Sequence, residues 1–112
     1  MLVVWEPILS SDWHAPGRSA LARIPDVRAR QFWDPEHRIA QEIARRAAAS
    51  GKTPPACCLD NGFLWDEALL FAPGSSWTSA PAAAFWNGPV YKVVPALESA
   101  LSSLSESAPA AR

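Results

Sequence analysis

The two cysteines of this chain are neighbours, Cys57 and Cys58, in the stretch PPACCLDNG at positions 54–62. A disulfide between adjacent cysteines closes a small, strained ring that is easily reduced, so the pair is a candidate redox site. The reduced pair could instead bind a soft ion such as copper(I), mercury(II) or arsenic(III), with a third ligand from elsewhere. Buried cysteines also serve as small apolar residues. The residues alone leave these three interpretations open.

A second set of polar side chains follows the first two predicted strands. Asp12 and His14 come after the first strand, and Asp34 and His37 come after the second. Because ligands bind beyond the carboxyl ends of parallel strands, these residues could share one crevice, where carboxylate and imidazole groups hold a divalent metal or transfer protons. His14 and His37 are therefore weaker candidate metal ligands. Helix capping by the two aspartates is the competing interpretation.

Six tryptophans are spread along the chain. Trp5 and Trp65 lie in apolar segments and are expected in the core. Trp13 and Trp77 lie in predicted loops, where an exposed ring would mark a surface for a protein or small-molecule partner. Packing of these rings in the core is the competing interpretation. The chain has no glycine-rich phosphate loop, and the sequence predicts no cofactor.

Composition limits the remaining classes of function. The chain has 112 residues, of which 49% are hydrophobic and 19% charged, with a net charge of -1. This composition is typical of a globular protein, and the charge gives no basic face for nucleic acid. No apolar run reaches the length of a membrane span, so no membrane partner is expected. The chain as written is expected in the cytoplasm, or outside it if an export signal has been removed.

Hydrophobic patterns and helix-capping signals predict seven elements. A helix is predicted after Asp34, with Pro35 as its first residue and Gly51 just past its end. A last helix is predicted from Pro95, and VYKVV (90–94) before it is a possible strand. The predicted strands are Leu2–Leu9, Val27–Trp33, Gly62–Pro73 and Ala82–Trp86, and a short helix is predicted at Arg18–Ile24.

The resulting order is β-α-β-α-β-β-α, which is an α/β arrangement. Right-handed crossovers make the first half parallel, and the close spacing of the last two strands favours a hairpin. We therefore expect a mixed four-stranded sheet with helices on both faces. The expected organisation is one domain over residues 1–105 and a flexible tail over 106–112. The oligomeric state is left open.

The stretches VVWEPIL, SDWHAP, ARQFWDP and GFLWD resemble those of small uncharacterised bacterial thioredoxin-like proteins that lack the usual C-x-x-C motif. The resemblance covers most of the chain and implies a thioredoxin fold. A thioredoxin-type oxidoreductase carries C-x-x-C after its first strand, where this chain reads LSSDWHAPG (9–17) with no cysteine. Thioredoxin activity is therefore not expected at that position. A thiol-based role would need Cys57 and Cys58, and a non-catalytic binding module is the main alternative.

Overall fold

A computed structural model of the chain describes residues 1–52, 55, 57–58, 63–79 and 82–107. The residues group into two units, Met1–Ile43 and Ala44–Arg112, and each is described by itself. The expectation of one domain over residues 1–105 stays a prediction.

The described elements follow the predicted order, with short strands. They are β1 (Leu2–Trp5), α1 (Arg18–Leu21), β2 (Arg30–Trp33), α2 (Arg38–Ala49), β3 (Ala68–Leu70), a 3-10 turn (Trp77–Ser79), β4 (Phe85–Asn87) and α3 (Val90–Ser107).

β1 and β2 form a parallel pair in the first unit. The register runs from Leu2 opposite Arg30 to Trp5 opposite Trp33. The Gln31 side chain accepts a hydrogen bond from the Trp5 indole Nε1 at 2.9 Å and donates one to the Leu21 carbonyl at 3.0 Å, which ties α1 to the two strands. β1 ends before Pro7, which has no N–H to donate to a neighbouring strand. The parallel first half is as predicted.

α2 begins at Arg38, later than the sequence pattern predicted. His37 has a φ of +55°, a left-handed conformation that interrupts the helix before this point. Asp34 still caps the helix, because its Oδ2 accepts a hydrogen bond from the Ile39 N–H at 2.8 Å. At the other end Gly51 has a φ of +71°, the left-handed conformation expected of a residue just past a helix.

The second unit contains the antiparallel pair of β3 and β4. Ala68 lies opposite Asn87, and Leu70 lies opposite Phe85. The antiparallel pairing predicted for the last two strands is therefore present. The described residues form two separate two-stranded sheets, so the predicted four-stranded sheet is not confirmed.

α3 begins at Val90, and the prediction of its start at Pro95 was wrong. The VYKVV segment forms the first turns of this helix instead of a strand. The Asp66 carbonyl accepts the Val90 N–H at 3.1 Å and fixes the start, which a sequence pattern does not show. Pro95 lies inside the helix and omits one helical hydrogen bond. Glu106 and Ser107, predicted in the tail, belong to α3, and residues 108–112 lie outside the described part.

Few residues of the described chain are fully buried. The buried apolar side chains are Ala40, Ala47, Cys58, Leu64 and Val93. One cysteine of the pair is thus a core residue of the second unit. None of the described helices combines the length and the apolar character needed to cross a bilayer.

Candidate functional site

The cysteine pair lies in the second unit, and its two sulfurs are joined in a vicinal disulfide. The two residues differ in exposure, because Cys58 is only 8% exposed whereas Cys57 is half-buried. Cys58 also has a φ of +69°, an uncommon conformation for a residue with a side chain. Such backbone conformations are found most often at functional sites. The pair therefore consists of one partly exposed residue and one buried residue.

Gly88 makes room for the enclosed sulfur. A Cβ at this position would lie 3.2 Å from the Cys58 Sγ and 3.2 Å from the Glu67 Cγ, and 2.7 Å from the Asp66 carbonyl oxygen. The Cys58 sulfur and the Glu67 side chain thus both lie close to this point. Only a glycine leaves space there, since side-chain atoms do not normally approach a backbone oxygen so closely.

The Glu67 carboxyl group lies beside Gly88 and is partly buried. Its Oε2 accepts a hydrogen bond from the Trp86 indole Nε1, and its Oε1 is buried without a hydrogen-bond partner among the described residues. Burial raises the pKa of Glu67, and the Trp86 hydrogen bond offsets part of that rise. The side chain is therefore easier to protonate than an exposed glutamate.

Trp65 forms another side of this cysteine site. Its backbone N–H donates to the Cys58 carbonyl at 3.0 Å, and its indole Nε1 is buried with no hydrogen-bond partner in the described part of the chain. Sequence reasoning placed Trp65 in the core and did not identify Glu67 or Gly88 as site residues. No local pattern pointed to them, because Gly88 comes beside Glu67 only through the pairing of β3 with β4.

In the first unit the structure brings Glu6, not His14, to His37. The His37 Nδ1 lies 3.6 Å from the Glu6 Oε2, a contact too long for a hydrogen bond but within ion-pair range. The side chains are 16% exposed for His37 and 10% exposed for Glu6. Burial raises the pKa of Glu6, the nearby His37 lowers it, and the negative charge of Asp34 raises it again.

The other two members of the predicted crevice have different positions. Asp12 accepts the backbone N–H groups of Ile8 and Leu9 at 2.9 and 2.8 Å, and these bonds lower the pKa of its exposed carboxyl. It therefore closes a turn after β1 and does not cap α1, whose N-cap position is occupied by Gly17 with no side-chain hydrogen bond. His14 is exposed. Glu6 was missed because it lay inside the longer strand predicted at Leu2–Leu9.

Across the described residues, no three His, Cys, Asp or Glu side chains come together in a group that could hold a metal ion. The predictions of metal binding at His14 and His37, and at the cysteines, therefore have no ligand set in that part of the chain.

The two loop tryptophans are both exposed. Trp13 is 79% exposed and Trp77 is 44% exposed. The Trp77 ring packs edge-on against Phe71, with centroids 5.3 Å apart, and the Arg46 guanidinium lies 5.4 Å from the Trp77 ring centre. Trp77 also lines an open cleft of about 330 Å³ together with Arg45, Arg46, Ala49, Ser50 and Thr78.

The chain matches no model of a protein family, no curated protein and no solved structure at a significant level.

Proposed function

We propose that Cys57 and Cys58 form a reversible thiol–disulfide couple that exchanges two electrons with a thiol-bearing partner. The observation that carries this proposal is the asymmetric setting of the two sulfurs, with Cys57 half-buried and Cys58 packed over Gly88 beside Glu67. An attacking thiolate needs access to one sulfur, and the other must leave as a thiolate and be protonated. The half-buried Cys57 and the Glu67 carboxyl, whose Oε1 is buried, suit these two roles.

The proposed reduction begins when a partner thiolate attacks the Cys57 Sγ. The Cys57–Cys58 bond breaks, its electron pair passes to the Cys58 Sγ, and this sulfur takes a proton from Glu67. A second thiolate of the partner then attacks the mixed disulfide, releases Cys57 as a thiolate and leaves the partner as a disulfide. Cys57 and Glu67 regain protons from water. The chain gains two electrons and two protons, and the partner dithiol loses them.

Single-cysteine variants test the roles of the two sulfurs. In C58S the remaining Cys57 should react with an aromatic disulfide reagent at least about tenfold faster than the remaining Cys58 does in C57S, because access limits the reaction. The measurement is the rate of release of the reagent's coloured thiolate from native protein. Equal rates in the two variants, or no reaction of either until the protein is unfolded, would refute the assignment.

A second pair of variants tests Glu67. The rate of reduction of the wild-type disulfide by dithiothreitol should fall about tenfold in E67Q, because the amide cannot protonate the leaving sulfur. E98Q is the matched control, since Glu98 is an exposed glutamate of α3. Equal rates for E67Q and E98Q would remove Glu67 from the reaction.

The thioredoxin-like assignment stays part of the proposal. Its support is the sequence resemblance, the β-α-β-α-β-β-α order and the parallel pairing of β1 with β2. The proposed partner is a protein or small molecule that carries two thiols.

Binding of a small anionic ligand is a second candidate function, favoured by the cleft beside Trp77. The cleft combines an exposed indole ring with two arginines. Benzoate, a planar anion, should therefore shift the NMR signals of Trp77 and Arg46 more than benzyl alcohol does. Equal shifts with the two compounds, or none, would remove this candidate.

A further inference from the structure

Cys58 lies where three segments of the second unit meet. Its carbonyl accepts the Trp65 N–H at 3.0 Å, which ties the cysteine pair to the segment that leads into β3. Its Sγ lies 3.2 Å from the point where a Cβ of Gly88 would be, so it also contacts the connection between β4 and α3. The residue therefore joins the cysteine pair to the segment before β3 and to the segment before α3.

The start of α3 depends on the same group of contacts. Val90, the first residue of α3, donates its N–H to the Asp66 carbonyl at 3.1 Å. That carbonyl oxygen lies 2.7 Å from the Cβ point of Gly88, which the Cys58 sulfur also approaches. α3 packs on β3 and β4, and its buried residue Val93 belongs to its first turn. A movement of Cys58 therefore acts on the part of α3 that is held to the strands.

The disulfide ring restricts the backbone of Cys58 to its present conformation. The φ of Cys58 is +69°, which is unfavourable for a residue with a side chain. This angle describes rotation about the bond between N and Cα, and in a disulfide of adjacent residues that bond belongs to the ring. Rotation about it is therefore restricted while the Cys57–Cys58 disulfide is intact. Reduction opens the ring, and φ is then free to relax to the negative values that a residue with a side chain prefers.

Reduction also changes the space that the two sulfurs need. Two thiols lie at van der Waals separation, which is longer than a covalent S–S bond. Cys58 is only 8% exposed, and its Sγ already lies 3.2 Å from the Cβ point of Gly88. The two sulfurs must therefore move apart within a site where Cys58 is closely packed, which disturbs its contacts.

We propose that the cysteine pair is a redox-sensitive clamp on α3, which holds the start of the helix while the disulfide is intact and loosens it after reduction. This inference rests on the proposed thiol–disulfide couple and adds the element that responds to it. In the reduction, a dithiol gives two electrons and two protons to the pair, so that two S–H groups replace the S–S bond and the dithiol becomes a disulfide. Cys58 then relaxes, and the hydrogen bonds of the Trp65 and Val90 amides open more often.

Amide hydrogen exchange of the full chain measures the clamp directly. After reduction with dithiothreitol, the Trp65 and Val90 amides should exchange about tenfold faster than in the oxidised protein, the ratio that corresponds to the cost of one left-handed residue. The Asp34 amide, which donates to the Trp5 carbonyl in the first unit at 2.9 Å, is the internal control and should not change. Equal exchange of the Trp65 and Val90 amides in the two redox states would overturn the proposal. An equal acceleration of all three amides would also contradict it, because that result indicates a general loss of stability.

Two double variants separate the clamp from the redox couple itself. C57S/C58S cannot form the ring, so its Trp65 and Val90 amides should exchange about tenfold faster than those of the oxidised wild type, with or without dithiothreitol. This comparison still decides the clamp if the native disulfide resists reduction, a result that would refute the couple alone. C57S/C58G also lacks the ring, but glycine accepts a positive φ, so its Trp65 amide should keep most of the oxidised protection. Slow exchange in C57S/C58S, or equally fast exchange of the Trp65 amide in both variants, would contradict the clamp.

Discussion

At the scale of single residues, the two cysteines are chemically unequal although they are adjacent in sequence. Cys58 is enclosed by Gly88, Glu67 and the backbone of Trp65, whereas Cys57 is more accessible. A vicinal pair in a symmetric, exposed loop would give no reason to prefer attack at one sulfur. In the proposed exchange reaction, the neighbours of the pair would therefore determine which sulfur is attacked and which one leaves.

The close approach at Gly88 gives a prediction about stability. G88A should destabilise the protein by about 1–3 kcal/mol, because the new Cβ would lie 2.7 Å from the Asp66 carbonyl and 3.2 Å from the Cys58 sulfur. G17A is the control, since nothing lies within 4 Å of a Cβ there and Gly17 has a φ of -73°. Urea denaturation compares the two variants. Equal midpoints would show that the space above Gly88 is not restricted.

Sequence reasoning reached part of the candidate site at this scale. It identified Cys57 and Cys58 because adjacent cysteines are distinctive, and it placed Trp13 and Trp77 in loops without deciding whether their rings are exposed. It missed Glu67 and Gly88, because their role depends on β4 returning beside the residues before β3. Such contacts between distant residues have no local signature in one sequence.

At the scale of elements, α2 shows which features a sequence pattern can predict. Its apolar spacing and Gly51 predicted its existence and its end, because both depend on residues close in the chain. Its start was predicted too early, because the left-handed His37 and the Glu6 contact are set by tertiary packing. The start of α3 was missed for the same kind of reason, since a hydrogen bond to Asp66 fixes it.

The Asp34 cap of α2 leads to a second stability prediction. D34A should lower the free energy of unfolding by about 1–2 kcal/mol, because the part-buried Ile39 N–H loses its acceptor at the start of α2. D34N keeps a capping oxygen without the charge, so it should lose much less. Urea denaturation followed by circular dichroism at a helix wavelength measures both. Equal losses in D34A and D34N would assign the effect to charge instead of capping.

At the scale of the whole molecule, each of the two units contains one of the polar sites described above. The cysteine site belongs to Ala44–Arg112, and the Glu6–His37 pair belongs to Met1–Ile43. The predicted order of elements and the two predicted pairing directions are present, but the described strands are shorter than predicted. A four-stranded sheet requires pairing between strands that are distant in the chain. The β-α-β-α-β-β-α order is compatible with such pairing, but it does not determine which strands pair.

An equilibrium redox titration tests most directly whether Cys57 and Cys58 form a reversible thiol–disulfide couple. The full chain is equilibrated in mixtures of oxidised and reduced dithiothreitol, quenched with a maleimide and analysed by mass, which counts the free thiols. We expect one reversible two-electron transition, from protein with no free thiol to protein with two free thiols. Neither C57S nor C58S should show this transition. Two free thiols throughout the series, or a disulfide reducible only after unfolding, would contradict it.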